Sequence, residues 1–189
     1  MVPLTSLLAP IAVSAVVVFF ASFIIHMVLG YHKSDLRKLP DRQEDEILAT
    51  IARLNLSPAE YGVPHPGSPE RMKDPAFIAR MTKGPIVFMN VVPGEPPSMG
   101  KSLAMWFAFV LLVTVFSAYI TSRAVTSGLD YLTVFRFVGT SAFMGYGLGQ
   151  IPESIWYKRS WVRTLKSVFD SLIYALLTAG VFGWLWPGR

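Results

Sequence analysis

"LAMWFAFVLLVTVFSAYI", residues 103 to 120, decides how this chain is read. It carries no charged residue, and at about 1.5 Å of rise per residue a helix of that length nearly matches the roughly 30 Å hydrocarbon core of a bilayer. Immediately before it stands "GEPPSMGKS", residues 94 to 102, which invites comparison with the phosphate-cradling loop G-x-x-x-x-G-K-[ST]. The comparison fails on two counts. Five residues rather than four separate Gly94 from Gly100, and two of them, Pro96 and Pro97, have no backbone N–H to offer a phosphate. Lys101 therefore reads as an anchor at a membrane face and Ser102 as part of a helix's first turn; no nucleotide is expected there.

Outward from this stretch the same chemistry recurs. The 189 residues are 52% hydrophobic and 15% charged, with a mean hydropathy of +0.46, more apolar material than a soluble domain of this size buries. Three further runs are long enough to span: about Leu7 to Leu29, containing "IAVSAVVVFFASFIIHMVL"; about Tyr131 to Ile151, diluted by Arg136 and four glycines; and about Val168 to Trp186. The first lacks the basic flank, the short core and the small-residue cleavage site of a signal peptide and is expected to be retained. The fold class expected is an all-α membrane protein: four transmembrane helices, with a small irregular, partly helical cytoplasmic insert between the first two. The divisions are 1–30, first helix; 31–101, insert; 102–189, remaining helices.

Lysine and arginine orient the chain, because they are retained on the cytoplasmic side of short flanks. Residues 31–101 carry ten, and residues 152–167 carry Lys158, Arg159, Arg163 and Lys166; Arg123 and Arg189 face the other way. Both termini are thus expected outside a bacterial inner membrane and the insert inside. Trp156, Trp161, Trp184 and Trp186 read as interface anchors with Lys101. The +5 net charge is explained by these flanks, so no nucleic acid is implied. With no cysteine, disulfides, thiolate metal sites and cysteine nucleophiles are excluded.

Within the insert, Asp41 and Glu44 have capping-box spacing before "ILATIARL", where Ile47, Leu48, Ile51 and Leu54 share a helical face. Ser57, Pro58 and Glu60 repeat the start signal for a helical turn, and Asp74–Pro75 opens a helix closed by Gly84. "PIVFMNVV" reads as a short strand without a visible mate, left to dock on a partner or on the membrane face of this chain. Asp41 to Asn55 holds four acids against two arginines, a poor match for anionic headgroups.

Arg136 lies about two turns inside the third run, where a charge snorkels to lipid phosphate, pairs with Asp130, or meets a substrate or partner. Asp170 stands four residues after Lys166, the spacing of an intrahelical pair. With His26, Gln150, Glu153 and Lys101 it is expected to form a polar cluster at the inner end of the helices. That cluster tethers the insert or, in a small transporter or channel with Arg136, carries ions. His32 and His65 read as solvated or hydrogen-bonded, since no further ligands cluster beside them in sequence; neither a metal nor another cofactor is expected. In "GTSAFMGYGLG", Ser141, Gly145 and Gly149 recur every four residues, a small-residue ridge for close helix packing within the chain or against another subunit. No hydrolase, zinc-protease or EF-hand motif is present, so no catalytic residue is expected.

"PPSMGKSLAMWF", "GYGLGQIPESIW" and "FGWLWP" resemble a family of small bacterial four-span membrane proteins of unassigned function. The resemblance covers most of the chain and implies bacterial origin and membrane location, without a catalytic residue. The expected role is that of a non-catalytic accessory or assembly subunit, whose partners are lipid and other membrane subunits.

Overall fold

The computed structural model describes residues 2–96 and 98–188; Pro97 and Arg189, used above, lie outside them. The chain divides into two compact units, Met1–Leu36 with Ser98–Arg189, and Arg37–Pro97.

Helices dominate the first unit. A 3-10 turn, Leu4–Leu7, leads into α1 (Leu8–Phe23), which ends in a widened π turn, Ile24–Val28. The second unit contributes α2 (Asp41–Leu54) and α3 (Pro75–Lys83). The chain then forms α4 (Met99–Ala124), α5 (Tyr131–Tyr146), α6 (Ile151–Trp156) and α7 (Trp161–Leu185). Three helical stretches are long and apolar enough to cross a membrane: Leu4–Val28, Met99–Ala124 and Trp161–Leu185. The expected third span is shorter. Its 16-residue helix α5 reaches about 24 Å, and Gly147 then passes the chain into a 3-10 turn, Leu148–Gln150, before α6. Two glycines and Pro152, which has no N–H for the ladder, account for the interruption.

The four main helices pack in a ring, α1 against α4 and α7, and α5 against the same two. At one end the start of α1 meets the end of α4, the start of α5 and the end of α7, around Leu7, Ala118, Val134, Val138, Ala179 and Phe182. At the other, Val18 and Ile25 meet Val110 and Val113, Ala142 and Tyr146, and Tyr174 and Ala175. The helices therefore run alternately up and down. Three buried hydroxyls are satisfied within their own helices, where Ser14, Thr114 and Thr178 donate to the carbonyls of Ile11, Leu111 and Tyr174. This arrangement lets a polar side chain sit inside an apolar bundle.

The glycines of α5 set its approach to both neighbours. A Cβ on Gly145 would stand 2.9 Å from Val113 Cγ1 of α4, whereas one on Gly139 would meet Ala179 Cβ of α7 at 3.3 Å. Gly149 has nothing within 4 Å, and Ser141 donates to Phe137 O of its own helix. Of the three-residue ridge only Gly145 marks a close crossing, because the break at Gly147 turns Gly149 away from the helical repeat.

In the second unit the strand "PIVFMNVV" does have a mate. β1 (Ala59–Val63) pairs antiparallel with β2 (Val87–Val91), with Tyr61 opposite Met89. The segment after Ser57–Pro58, expected as a helical turn, is thus a strand; pairing outweighed a local start signal. The Asp41–Glu44 capping box does not form either. Pro40 occupies the cap position, Asp41 is already helical, and its carboxylate meets Lys38 at 2.7 Å. Asp74 does cap α3, accepting from Ala76 N at 3.0 Å, and Gly84 closes that helix with φ +64°. Asp74→Ala should cost about 1 kcal/mol, read as faster hydrogen exchange of the α3 amides while those of α7 stay unchanged.

Candidate functional site

Gly30 makes the site possible. Its φ of +67° is one that residues with a Cβ rarely adopt, and it turns the chain back after the π turn into a 3-10 turn, Tyr31–Ser34. His32 consequently returns to lie on His26, with ring centroids 4.5 Å apart and planes within 6°. Tyr31, His32, Ser34 and Asp35 then face the first half of α7.

His32 lies between two carboxylates, its Nδ1 2.6 Å from Asp35 Oδ2 and its Nε2 2.7 Å from Asp170 Oδ2. Asp170 is 2% exposed, and its other oxygen accepts the Tyr31 hydroxyl. Lys166 uses all three donors on this segment, reaching Tyr31 O at 2.6 Å, Asp35 Oδ1 at 2.8 Å and Ser34 Oγ at 3.0 Å. Burial alone would push the Asp35 carboxyl up, but the hydrogen bonds from Lys166 and His32 outweigh it and hold it below the usual carboxylate range. His26 Nδ1 lies 3.0 Å from Ser22 O one turn earlier. Ser22 Oγ accepts Trp106 Nε1 at 2.8 Å, tying α1 to α4. One nitrogen from each histidine and one oxygen of Asp170 all lie within 4.8 Å of one another.

Toward the bundle interior the site is backed by aromatic rings. Tyr174, one turn after Asp170, packs edge-on against Trp106 and Tyr146, at 5.9 and 5.8 Å between centroids. Both tyrosine hydroxyls are buried without a hydrogen-bond partner among the described residues; the Thr178 hydroxyl, near Tyr146, donates to Tyr174 O instead.

The fold brings together only part of the expected cluster. His26 and Asp170 meet. Lys166 and Asp170 do not pair with each other, because each finds a stronger partner across the gap in residues 31–35. Gln150 donates to Tyr146 O of the preceding turn, Glu153 lies 3.5 Å from Arg159, and Lys101 is exposed in the first turn of α4. Arg136 is exposed near the start of α5, about 15 Å along the axis from Tyr146, so it shares no site with His26 and Asp170. Asp130, one of the partners expected for it, instead caps α5 through Thr133, and Arg136 has no ion pair among the described residues. Trp156, Trp161 and Trp184 are exposed, but Trp186, expected as an interface anchor, is 2% exposed and donates to Thr126 O at 3.1 Å. It closes the core at the end of α7. His32, expected to be solvated or hydrogen-bonded, is hydrogen-bonded to Asp35 and Asp170 and central to the site. Its partners Tyr31 and Asp35 escaped the sequence reading; the available signal was a glycine ending an apolar run, followed at once by the dense polar string "YHKSD". No protein-family model, curated protein or solved structure matches this chain.

Proposed function

We propose that this chain is a four-span protein of a bacterial inner membrane, acting without chemistry of its own as an accessory or assembly subunit of a larger membrane complex. The fourth crossing in this reading is α5 extended by the 3-10 turn and α6. Lys166 meets residues 31–35, so the basic connection before α7 and the chain segment that carries Lys33 lie at one end of the bundle, which supports keeping that end on the cytoplasmic side.

One observation carries the subunit role. Not one of the 14 residues of α2 is buried, although Ile47, Leu48 and Leu54 along its apolar side are 47, 59 and 60% exposed. Among the described residues of the second unit, Phe77 is the one buried hydrophobic. A unit of that size with so little core needs cover. The acidic first turn, Asp41 and Glu44, disfavours anionic lipid as the cover and fits a protein with an apolar groove and a basic rim.

Native mass after mild detergent extraction tests this. The chain should run with a stoichiometric partner, and the double variant Ile47→Lys with Leu48→Lys should remain in the membrane fraction but lose that partner. The expected loss is about 2 kcal/mol or more, roughly thirtyfold in affinity. A chain that runs alone, or a double variant with the parent's mass, contradicts the proposal.

A further inference from the structure

We propose that His26, His32 and Asp170 form a binding site for a divalent transition-metal ion of the zinc class. The inference is independent of what covers α2.

A metal site needs ligand atoms close together on side chains whose outer atoms are already held, and all three side chains meet that requirement. With Nδ1 directed to Ser22 O at 3.0 Å, His26 donates there and keeps the Nε2 lone pair free. His32 directs Nδ1 to Asp35 at 2.6 Å, and Asp35 is held in turn by Lys166; its Nε2, 2.7 Å from Asp170 Oδ2, releases its proton when an ion takes that proton's place between them. Asp170 is fixed by the Tyr31 hydroxyl through one oxygen and presents the other.

A purely structural tether would use Asp170, His32, Asp35 and Lys166. It gives no role to His26, whose ring is stacked on His32 and whose ligand nitrogen lies within 4.8 Å of the other two ligand atoms. With metal–ligand bonds of about 2.0–2.2 Å a tetrahedral shell sets its ligand atoms about 3.3–3.6 Å apart, so binding opens the 2.7 Å approach of His32 to Asp170 by about 0.6–0.9 Å and tilts His26 off its stack on His32.

The donor set selects the ion. Two imidazoles and one carboxylate suit zinc and its neighbours, whereas magnesium and calcium take all-oxygen shells and monovalent copper prefers sulfur. Three protein ligands leave a fourth position, and His26 stands on the exposed side of the cluster, where water or a fourth donor enters.

The test uses the full-length chain without an affinity tag, purified in detergent, stripped with chelator and titrated with Co²⁺ and Zn²⁺. One equivalent of Co²⁺ should bind with a visible absorption band of four-coordinate type, and Zn²⁺ should displace it. His26→Ala should abolish the band. Asp35→Asn should weaken binding about 10- to 100-fold through His32, and His65→Ala should leave it intact. Metal-free melting curves establish that each variant is folded. No Co²⁺ bound at tens of micromolar, a band that survives His26→Ala, or a site that takes Ca²⁺ or Mg²⁺ in preference overturns the assignment.

Discussion

Asp170→Ala should lower the stability of the metal-free bundle by about 3 kcal/mol, at the low end for breaking a buried charged pair by removing one partner. The carboxylate accepts from His32 and Tyr31 at a position only 2% exposed. Its loss strands two polar groups beside a largely buried position. Lys166 and Asp35, 21 and 12% exposed in their side chains, would still join α7 to the segment after Gly30, which keeps the loss from being larger. At roughly 2–4 °C per kcal/mol for a chain of this length, the detergent melting midpoint should fall by about 6–12 °C. Asp170→Asn retains the shape and one acceptor and should lose about half as much. A midpoint within a degree of the parent for Asp170→Ala would mean that the contact does not hold the bundle.

The second large effect is expected at Gly145. Leucine there drives a side chain into Val113, whose Cγ1 already stands 2.9 Å from where a Cβ would be, and overpacking of this kind costs about 1–3 kcal/mol. Gly149→Leu, with nothing within 4 Å, should change stability by less than about 0.5 kcal/mol. Val113→Ala should restore part of the loss in Gly145→Leu and none in the parent, the mark of a direct contact. Equal melting of the two leucine variants would remove α5 from its place against α4.

These two sites show what the sequence makes legible. The long apolar runs were readable because hydropathy over about 20 residues reports the solvent of a helix directly. Gly145 was readable as a small residue at helical spacing, but Gly149 carried the same signal and has no neighbour, since spacing cannot foresee the break at Gly147. Asp170 and His26 were readable by their depth in apolar runs. Tyr31, Asp35 and the true partner of Lys166 were not, because their meeting depends on one left-handed residue, Gly30, folding the chain back. The i, i+4 rule for Lys166 and Asp170 describes an isolated helix, and here a second segment supplies each charge with a better partner. β1 was hidden for a similar reason: "SPAEYG" carries a helix-start pattern, and only the presence of β2 makes it a strand. Trp186 was misread because residue type reports interface preference, while the packing at the end of α7 buries this indole and leaves Trp184, two residues earlier, exposed.

In the proposed arrangement α5 completes a fourth crossing, with the basic stretches on the cytoplasmic side. The chain has no cysteine, so single-cysteine variants labelled with a membrane-impermeant maleimide in intact bacteria read it directly. Ser127→Cys, in the turn between α4 and α5, should label from outside, whereas Ser160→Cys, before α7, and Ser57→Cys, in the second unit, should label only after permeabilisation. Ser127→Cys and Ser160→Cys labelling from the same side would contradict the account, because α5 would not then cross.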